Sequence, residues 1–98
     1  MTSEENPFEQ PVPLEIDGVL DLHTFHPSEL APLLRDYIEA CRQKGILSLR
    51  IVHGKGRGVQ RERVHGLLKK NPLVRAFRLA PPGAGGWGAT LVELKPPR

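Results

Sequence analysis

Hydrophobic and polar residues recur with two different periods along the first half of the chain, and each period predicts a type of element. Short runs rich in Val, Ile and Leu predict strands over residues 19–23 and 46–52. Between them, from about Pro32 to Lys44, apolar residues recur every three or four positions, which predicts an amphipathic helix that ends at Gly45. Residues 27–30 are interpreted as a preceding turn. Because a helix connects the two strands, we expect the strands to be parallel.

The second half of the chain continues this pattern with one helix and two strands. Beyond the glycine-rich residues 54–58, Val64, Leu67 and Leu68 predict an amphipathic helix that is closed by Asn71-Pro72. Residues 74–79 alternate apolar with basic side chains, which predicts a half-exposed strand, and residues 89–94 predict the last strand. The order β-α-β-α-β-β predicts an α/β fold, a two-layer sandwich with a four-stranded mixed sheet and two helices.

Length and composition indicate one folded domain with an extended arm. A chain of 98 residues, 39% of them hydrophobic, is long enough for one core. Residues 1–17 are acidic, contain three prolines and lack a period, so we expect an arm there and the domain over residues 18–98. No apolar run approaches the roughly 20 residues of a membrane span, and the acidic N-terminus excludes a cationic signal peptide, so a cytoplasmic location is expected. The protein is also expected to be a monomer. The single cysteine, Cys41, excludes an internal disulfide.

Charge is distributed unevenly along the chain. Residues 1–34 contain seven acidic residues and no lysine or arginine, whereas residues 35–98 contain all fourteen basic residues and four acidic ones. A basic domain suits a polyanionic partner such as DNA or RNA, because cations near phosphates release condensed counterions. A solvated basic surface is the alternative that charge alone leaves open.

Two histidines occupy equivalent positions at the ends of the predicted parallel strands. Ligands of open α/β sheets bind beyond the carboxyl ends of such strands, and His23 and His53 stand there. Their imidazoles can act as general base and general acid, although a histidine at a strand end also serves as a hydrogen-bonded structural group. Asp21 shares a strand face with His23 and is expected to orient its ring, to hold a metal ion or to cap the sheet. His65 is interpreted as a helix-surface residue, and His26 as a cap or cleft residue.

The glycine-rich segment after the second strand predicts a phosphate site. Its glycines allow a close backbone approach, and the following helix N-terminus presents unpaired N–H groups. The segment matches neither the nucleoside-triphosphate nor the dinucleotide glycine motif, so no nucleotide cofactor is expected and the phosphate is assigned to a polymer. Alternatively, the glycines only turn the chain. The residues of this predicted site are Gly54, Lys55, Gly56, Arg57, Gly58, Arg61 and Arg63.

A second glycine-rich loop, residues 83–88, carries a single aromatic residue. Trp87 is a candidate for stacking on a nucleic-acid base, or it folds back over the core.

Three motifs together resemble the small MutS-related (Smr) domain family over about residues 19–94. They are Leu20-Asp21-Leu22-His23, then Val52-His53-Gly54-Lys55-Gly56, and Gly85-Gly86-Trp87-Gly88-Ala89-Thr90 before the last strand. The resemblance implies a four-stranded, two-helix sandwich and an endonuclease that nicks or cleaves DNA or RNA. The family's proposed active site carries over to Asp21, His23, His53, Gly54, Lys55 and Gly56. In the first motif Thr24 follows His23, where the family usually has glycine.

The sequence therefore predicts a small endonuclease with four catalytic residues. His53 transfers a proton, His23 assists it or orients the attacking water, Asp21 supports His23, and Lys55 stabilises charge on the phosphate. Metal use is left open between none and a divalent ion, Mg²⁺ or Mn²⁺. The alternatives are a nucleic-acid-binding module that recognises branched or structured DNA or RNA without cutting it, and a protein-interaction domain that uses the acidic arm.

Overall fold

The computed structural model describes residues 15–54, 58–83 and 86–97. The elements are strands β1 (Val19–Asp21), β2 (Ser48–Val52), β3 (Val74–Leu79) and β4 (Ala89–Leu94), and helices α1 (Leu30–Gln43) and α2 (Val59–Lys70). Short 3₁₀ helices, Pro27–Glu29 and Gly86–Gly88, precede α1 and β4. All six predicted helices and strands are present in the predicted order. The last two strands have the predicted bounds.

The first strand and the first helix differ from the prediction at their ends. β1 stops at Asp21 because the next residues turn: the N–H of His23 donates to the Asp21 carboxylate, and that of Phe25 donates to the Leu22 carbonyl. α1 begins at Leu30, so Pro32 lies inside its first turn. Proline fits there because the first N–H groups of a helix have no intrahelical acceptor.

The four strands form one mixed sheet in the order β1-β2-β4-β3. β1 and β2 are parallel, as the helical crossover predicts, whereas β4 pairs antiparallel with both β2 and β3. The predicted four-stranded mixed sheet with two helices is therefore confirmed. The strand order was not predicted. In the structure β4 lies between β2 and β3, although it follows β3 in the sequence.

One face of the sheet forms the core, and cross-strand neighbours show which face that is. Ile51 lies beside Leu20 on β1 and opposite Thr90 on β4, and all three are buried. The buried residues of α1 and α2 complete the same cluster, which makes two layers. Val19, on the opposite face, is 44% exposed. The core residues are Leu20, Leu22, Leu30, Leu34, Tyr37, Ile38, Cys41, Leu49, Ile51, Val64, Leu68, Val92 and Leu94.

A buried tyrosine fastens the start of β1 to α1. The Tyr37 hydroxyl accepts a hydrogen bond from the N–H of Gly18 at 3.0 Å and lies 3.2 Å from the Val19 carbonyl and 3.4 Å from the Asp17 carboxylate. Burial raises the pKa of Tyr37 to about 12, so the hydroxyl keeps its proton. The chain is thus fixed from residue 17, whereas most of the predicted arm, residues 1–14, lies outside the described residues.

In the described part of the chain, neither helix has the length and apolar character needed to cross a membrane.

Candidate functional site

The carboxyl ends of β1 and β2 lie side by side at one edge of the sheet, which we call the histidine edge. Asp21 pairs with Val52, and the N–H of Leu22 donates to the Val52 carbonyl at 2.9 Å. His23 and His53 follow directly, so the predicted placement at a common edge is confirmed. The two side chains nevertheless have different surroundings.

Asp21 and His23 form an exposed carboxylate–imidazole pair. The Nδ1 atom of His23 lies 2.8 Å from Oδ1 of Asp21, and the side chains are 75% and 52% exposed. The same carboxylate oxygen accepts the backbone N–H of His23 at 3.0 Å. Hydrogen bonds from the His23 backbone and ring lower the pKa of Asp21 below its ordinary 3.8. The ionised carboxylate therefore places the ring proton on Nδ1 and directs Nε2 away from the pair.

His53 is buried, and both of its ring nitrogens have partners within the protein. Its side chain packs on the helical side of the sheet beside Ile51 and Thr90, and the residue is 7% exposed. Nδ1 lies 3.0 Å from the Gly54 carbonyl oxygen, and Nε2 lies 2.8 Å from the Thr90 hydroxyl. A reacting group can reach neither nitrogen in this arrangement unless one of these hydrogen bonds opens.

The structure adds two residues to this edge that were not predicted as part of it. The Nε2 atom of His65 lies 2.8 Å from the Thr90 hydroxyl, so Thr90 joins His65 to His53. The His65 ring also packs against Phe77, with ring centroids 4.9 Å apart. His65 was interpreted as a helix-surface residue. It is half-buried, because its side chain turns from α2 towards the sheet and contacts Thr90 and Phe77. Thr90 is a polar residue at an inward-facing position of β4. That position is the only feature of the sequence that could have indicated its role.

His26 has one of the two roles expected for it. Its ring accepts a hydrogen bond from the N–H of Ser28 at 3.1 Å, and Glu29 accepts the N–H of His26, so His26 caps the 3₁₀ helix before α1.

The glycines on either side of the predicted phosphate loop have the expected backbone. Gly54 and Gly58 have φ angles of +82° and +84°, a left-handed conformation that favours glycine. Gly58 is the N-cap of α2, and the Arg61 guanidinium folds back against it, occupying the space a Cβ atom would need. This places one of the predicted phosphate-binding cations over the helix N-terminus. Arg63 is exposed on α2.

Four predicted site residues lie wholly or partly outside the described part of the chain. Lys55, Gly56 and Arg57 lie outside the described residues, and Trp87 belongs to the 3₁₀ helix Gly86–Gly88 but its side chain also lies outside them. Their roles stay predictions.

The donor set around Asp21 does not by itself make a metal site. Across residues 15–54, 58–83 and 86–97, no three His, Cys, Asp or Glu side chains are grouped as metal ligands. Asp21 and His23 contribute two, and His23 turns Nδ1 to the carboxylate.

Known proteins are similar to this chain in sequence and in fold. The Smr domain family matches residues 20–95. The chain is 35% identical to endonuclease MutS2 of Thermomicrobium roseum over 80 residues and 42% identical to that of Thermus thermophilus over 59 residues. It spans about a tenth or less of the length of these relatives.

Solved structures agree with this match. The Smr domain of Thermus thermophilus MutS2 is 36% identical, with a TM-score of 0.75 over 80% of this chain and 98% of that one. YdaL, a stand-alone small MutS-related protein from Escherichia coli, is 28% identical, with a TM-score of 0.74 over 80% of this chain and 64% of that one. Because the family matches residues 20–95 and these solved structures have the same fold, the chain belongs to the Smr domain family.

Proposed function

We propose that this domain is an endonuclease that nicks or cleaves phosphodiester bonds in DNA or RNA and that His23 moves the proton. The observation that carries the proposal is the exposed Asp21–His23 pair, 2.8 Å apart at the carboxyl end of a parallel strand. Ligands of open α/β sheets bind at such ends. The relatives from Thermomicrobium roseum and Thermus thermophilus are named endonucleases, and this chain corresponds to a small part of them.

The pair suits general acid–base catalysis because its tautomer is fixed. The Asp21 carboxylate accepts the Nδ1 proton of neutral His23, which leaves Nε2 as the basic nitrogen. Among the described residues, Nε2 has no hydrogen-bond partner. It can accept a proton from an attacking water or a ribose 2′-hydroxyl while the phosphate is attacked, and the imidazolium can then donate that proton to the leaving oxygen.

The N-terminus of α2 suits the phosphate on which this chemistry acts. A helix N-terminus presents N–H donors and a positive dipole end, and Arg61 adds a full charge beside Gly58. Gly54 and Gly58 allow the backbone to turn closely around an anion. Lys55 and Arg57, from the same loop, are proposed as further phosphate ligands.

The second candidate function is a nucleic-acid-binding module without a catalytic step. The buried position of His53 favours it, because both nitrogens of the second imidazole are already hydrogen-bonded. A single exposed imidazole suffices for cleavage only if it serves both proton transfers, or if the nucleic acid or a metal ion assists.

A nuclease assay with matched histidine variants separates the two functions. Purified wild type is incubated with supercoiled plasmid and structured RNA, in chelator and in Mg²⁺ or Mn²⁺, and binding is measured by fluorescence anisotropy. We expect His23→Ala to lose cleavage by about 10²-fold or more and to keep its affinity. The control is His26→Asn, which removes a neighbouring exposed imidazole and keeps a side-chain cap for the 3₁₀ helix.

The outcomes of this assay are distinct. Cleavage that is lost in His23→Ala and kept in His26→Asn supports the endonuclease. Salt-sensitive binding without product from the wild type supports the binding module. Cleavage that persists in both variants contradicts the assignment of His23.

A further inference from the structure

A network of three hydrogen bonds, buried at its centre and half-buried at its two ends, runs from the loop after β2 to the middle of α2. It joins the Gly54 carbonyl, the ring of His53, the hydroxyl of Thr90 and the ring of His65, through contacts of 3.0, 2.8 and 2.8 Å. Thr90 is fully buried and His53 is 7% exposed. Water therefore has little access to the middle of this hydrogen-bond network. Each donor in the network must face an acceptor within the protein.

The chemistry of the partners determines which atom donates and which accepts in each hydrogen bond of this network. A carbonyl oxygen only accepts, so Nδ1 of His53 carries the proton shared with Gly54. In a neutral ring Nε2 is then an acceptor, and the Thr90 hydroxyl donates to it. That hydroxyl has one proton, so its oxygen accepts from Nε2–H of His65. The two histidines must be opposite tautomers, Nδ1–H in His53 and Nε2–H in His65.

The surroundings of His65 favour this neutral chain. Burial is the largest influence that lowers the pKa of His65. A proton on His53 would lower this pKa further, as do the charges of Arg61 and Lys69, while Glu62 acts in the opposite sense. The ring edges of His53 and His65 meet at a centroid distance of 6.1 Å and 83° between planes.

The hydrogen-bond network also fixes the first residue, Gly54, of the glycine-rich loop after β2. The N–H groups of His53 and Gly54 both donate to the Gly88 carbonyl at 2.9 Å, and the Gly54 carbonyl is held by the His53 ring. Gly54 is thus held at both ends in its left-handed conformation.

We infer that Thr90 and His65 are positioning residues that act through His53 to hold Gly54 in the left-handed conformation with which the proposed phosphate loop begins. His53 is then a positioning residue as well, and the proton chemistry at this edge belongs to His23. The inference rests on the proposed function for its ligand. The hydrogen-bond direction is independent of that function.

The test combines histidine NMR with matched variants of Thr90 and His65. In long-range ¹H–¹⁵N spectra of the whole chain, we expect the wild type to show Nδ1–H for His53 and Nε2–H for His65. Thr90→Val keeps the shape and removes the hydroxyl, whereas Thr90→Ser keeps the hydroxyl. His65→Phe keeps a ring against Phe77 and removes the donor, whereas His65→Gln keeps an N–H donor.

For an oligonucleotide substrate, we expect Thr90→Val and His65→Phe to lower kcat/KM by roughly tenfold, chiefly through KM, because Gly54, the first residue of the proposed phosphate loop, is no longer held in place. Thr90→Ser and His65→Gln should stay within about threefold of wild type, because each keeps the group that completes the chain. If the wild type binds without cutting, the same variants are compared by Kd. Thermal melts show whether Thr90→Val folds, and the two conservative variants keep the comparison available if it does not.

Two results would overturn the inference. The first is a proton on Nε2 instead of Nδ1 of His53 in the wild type. The second is a Thr90→Val variant in which the tautomers of His53 and His65, and kcat/KM or Kd, are all unchanged. The His23→Ala variant separates this inference from the proposed function. It should leave the signals of His53 and His65 in place, so a failure of His23 as the catalytic group is seen in cleavage alone.

Discussion

Replacing Gly58 by alanine tests whether the N-terminus of α2 binds phosphate with the help of Arg61. At φ +84° an alanine is strained, and its Cβ would occupy the space of the Arg61 guanidinium. Left-handed backbone costs a non-glycine residue about 1–2 kcal/mol, and the reduced freedom of the unfolded chain offsets about 0.4–1 kcal/mol. Strain alone therefore predicts a loss of about 1 kcal/mol, which lowers Tm by about 4–8 °C in a domain of this size.

The chain offers a matched control for this strain in Gly45. Its φ is +81°, it follows α1, and a Cβ added there meets no atom within 4 Å. Gly45→Ala should therefore lose a similar free energy of unfolding without moving a cation. Gly58→Ala should in addition displace Arg61, weaken oligonucleotide binding and reduce the slope of log K against log salt by about 1.

The assay is urea unfolding of both variants, together with fluorescence anisotropy titrations at several salt concentrations. Equal affinity and salt slope in Gly58→Ala, Gly45→Ala and wild type would refute Arg61 as a phosphate ligand. A Gly58→Ala protein as stable as wild type would refute the strained geometry itself.

Three further predictions concern stability. Thr90→Val leaves the buried Nε2 of His53 and the half-buried Nε2 of His65 without their partner. It should lower the free energy of unfolding by about 1–3 kcal/mol, with Thr90→Ser within about 1 kcal/mol of wild type in urea titrations; equal stability of Thr90→Val and wild type would contradict the hydrogen-bond network. The pKa of His65 in the folded protein lies below its ordinary 6.5, so the unfolded protein binds more protons. The free energy of unfolding should therefore fall as the pH drops below 6.5, and urea titrations should show a smaller fall in His65→Phe than in wild type. Tyr37→Phe leaves the buried N–H of Gly18 without its acceptor and should cost about 1–3 kcal/mol by urea unfolding, with oligonucleotide affinity unchanged; a loss of affinity would contradict a purely structural role.

The fold could be predicted from the sequence where local pattern and tertiary context agree. Alternation of apolar and basic residues located β3, and the end of the second glycine-rich loop located the start of β4. The start of α1 could not be placed from Pro32, because proline is compatible with the whole first turn of a helix. The strand order depends on which edge β4 joins, and no local pattern records that choice.

The candidate site could be predicted in its position and only partly in its chemistry. Equivalent strand ends located His23 and His53, and the two-residue spacing located the contact of Asp21 with His23. Burial of His53 depends on its facing Thr90, which is 37 residues away, and the role of His65 depends on the same hydroxyl. A histidine within a charged helix has the sequence pattern of a surface residue, so this network is visible only in three dimensions.

The most direct test of the central claim, that His23 moves the proton at this edge, is its single-turnover cleavage rate. Wild type and His23→Ala are compared on the same oligonucleotide at saturating protein, with Kd measured in parallel. We predict a rate about 10²-fold or more lower in His23→Ala, with Kd within about twofold of wild type. Equal rates in the two proteins would contradict the account.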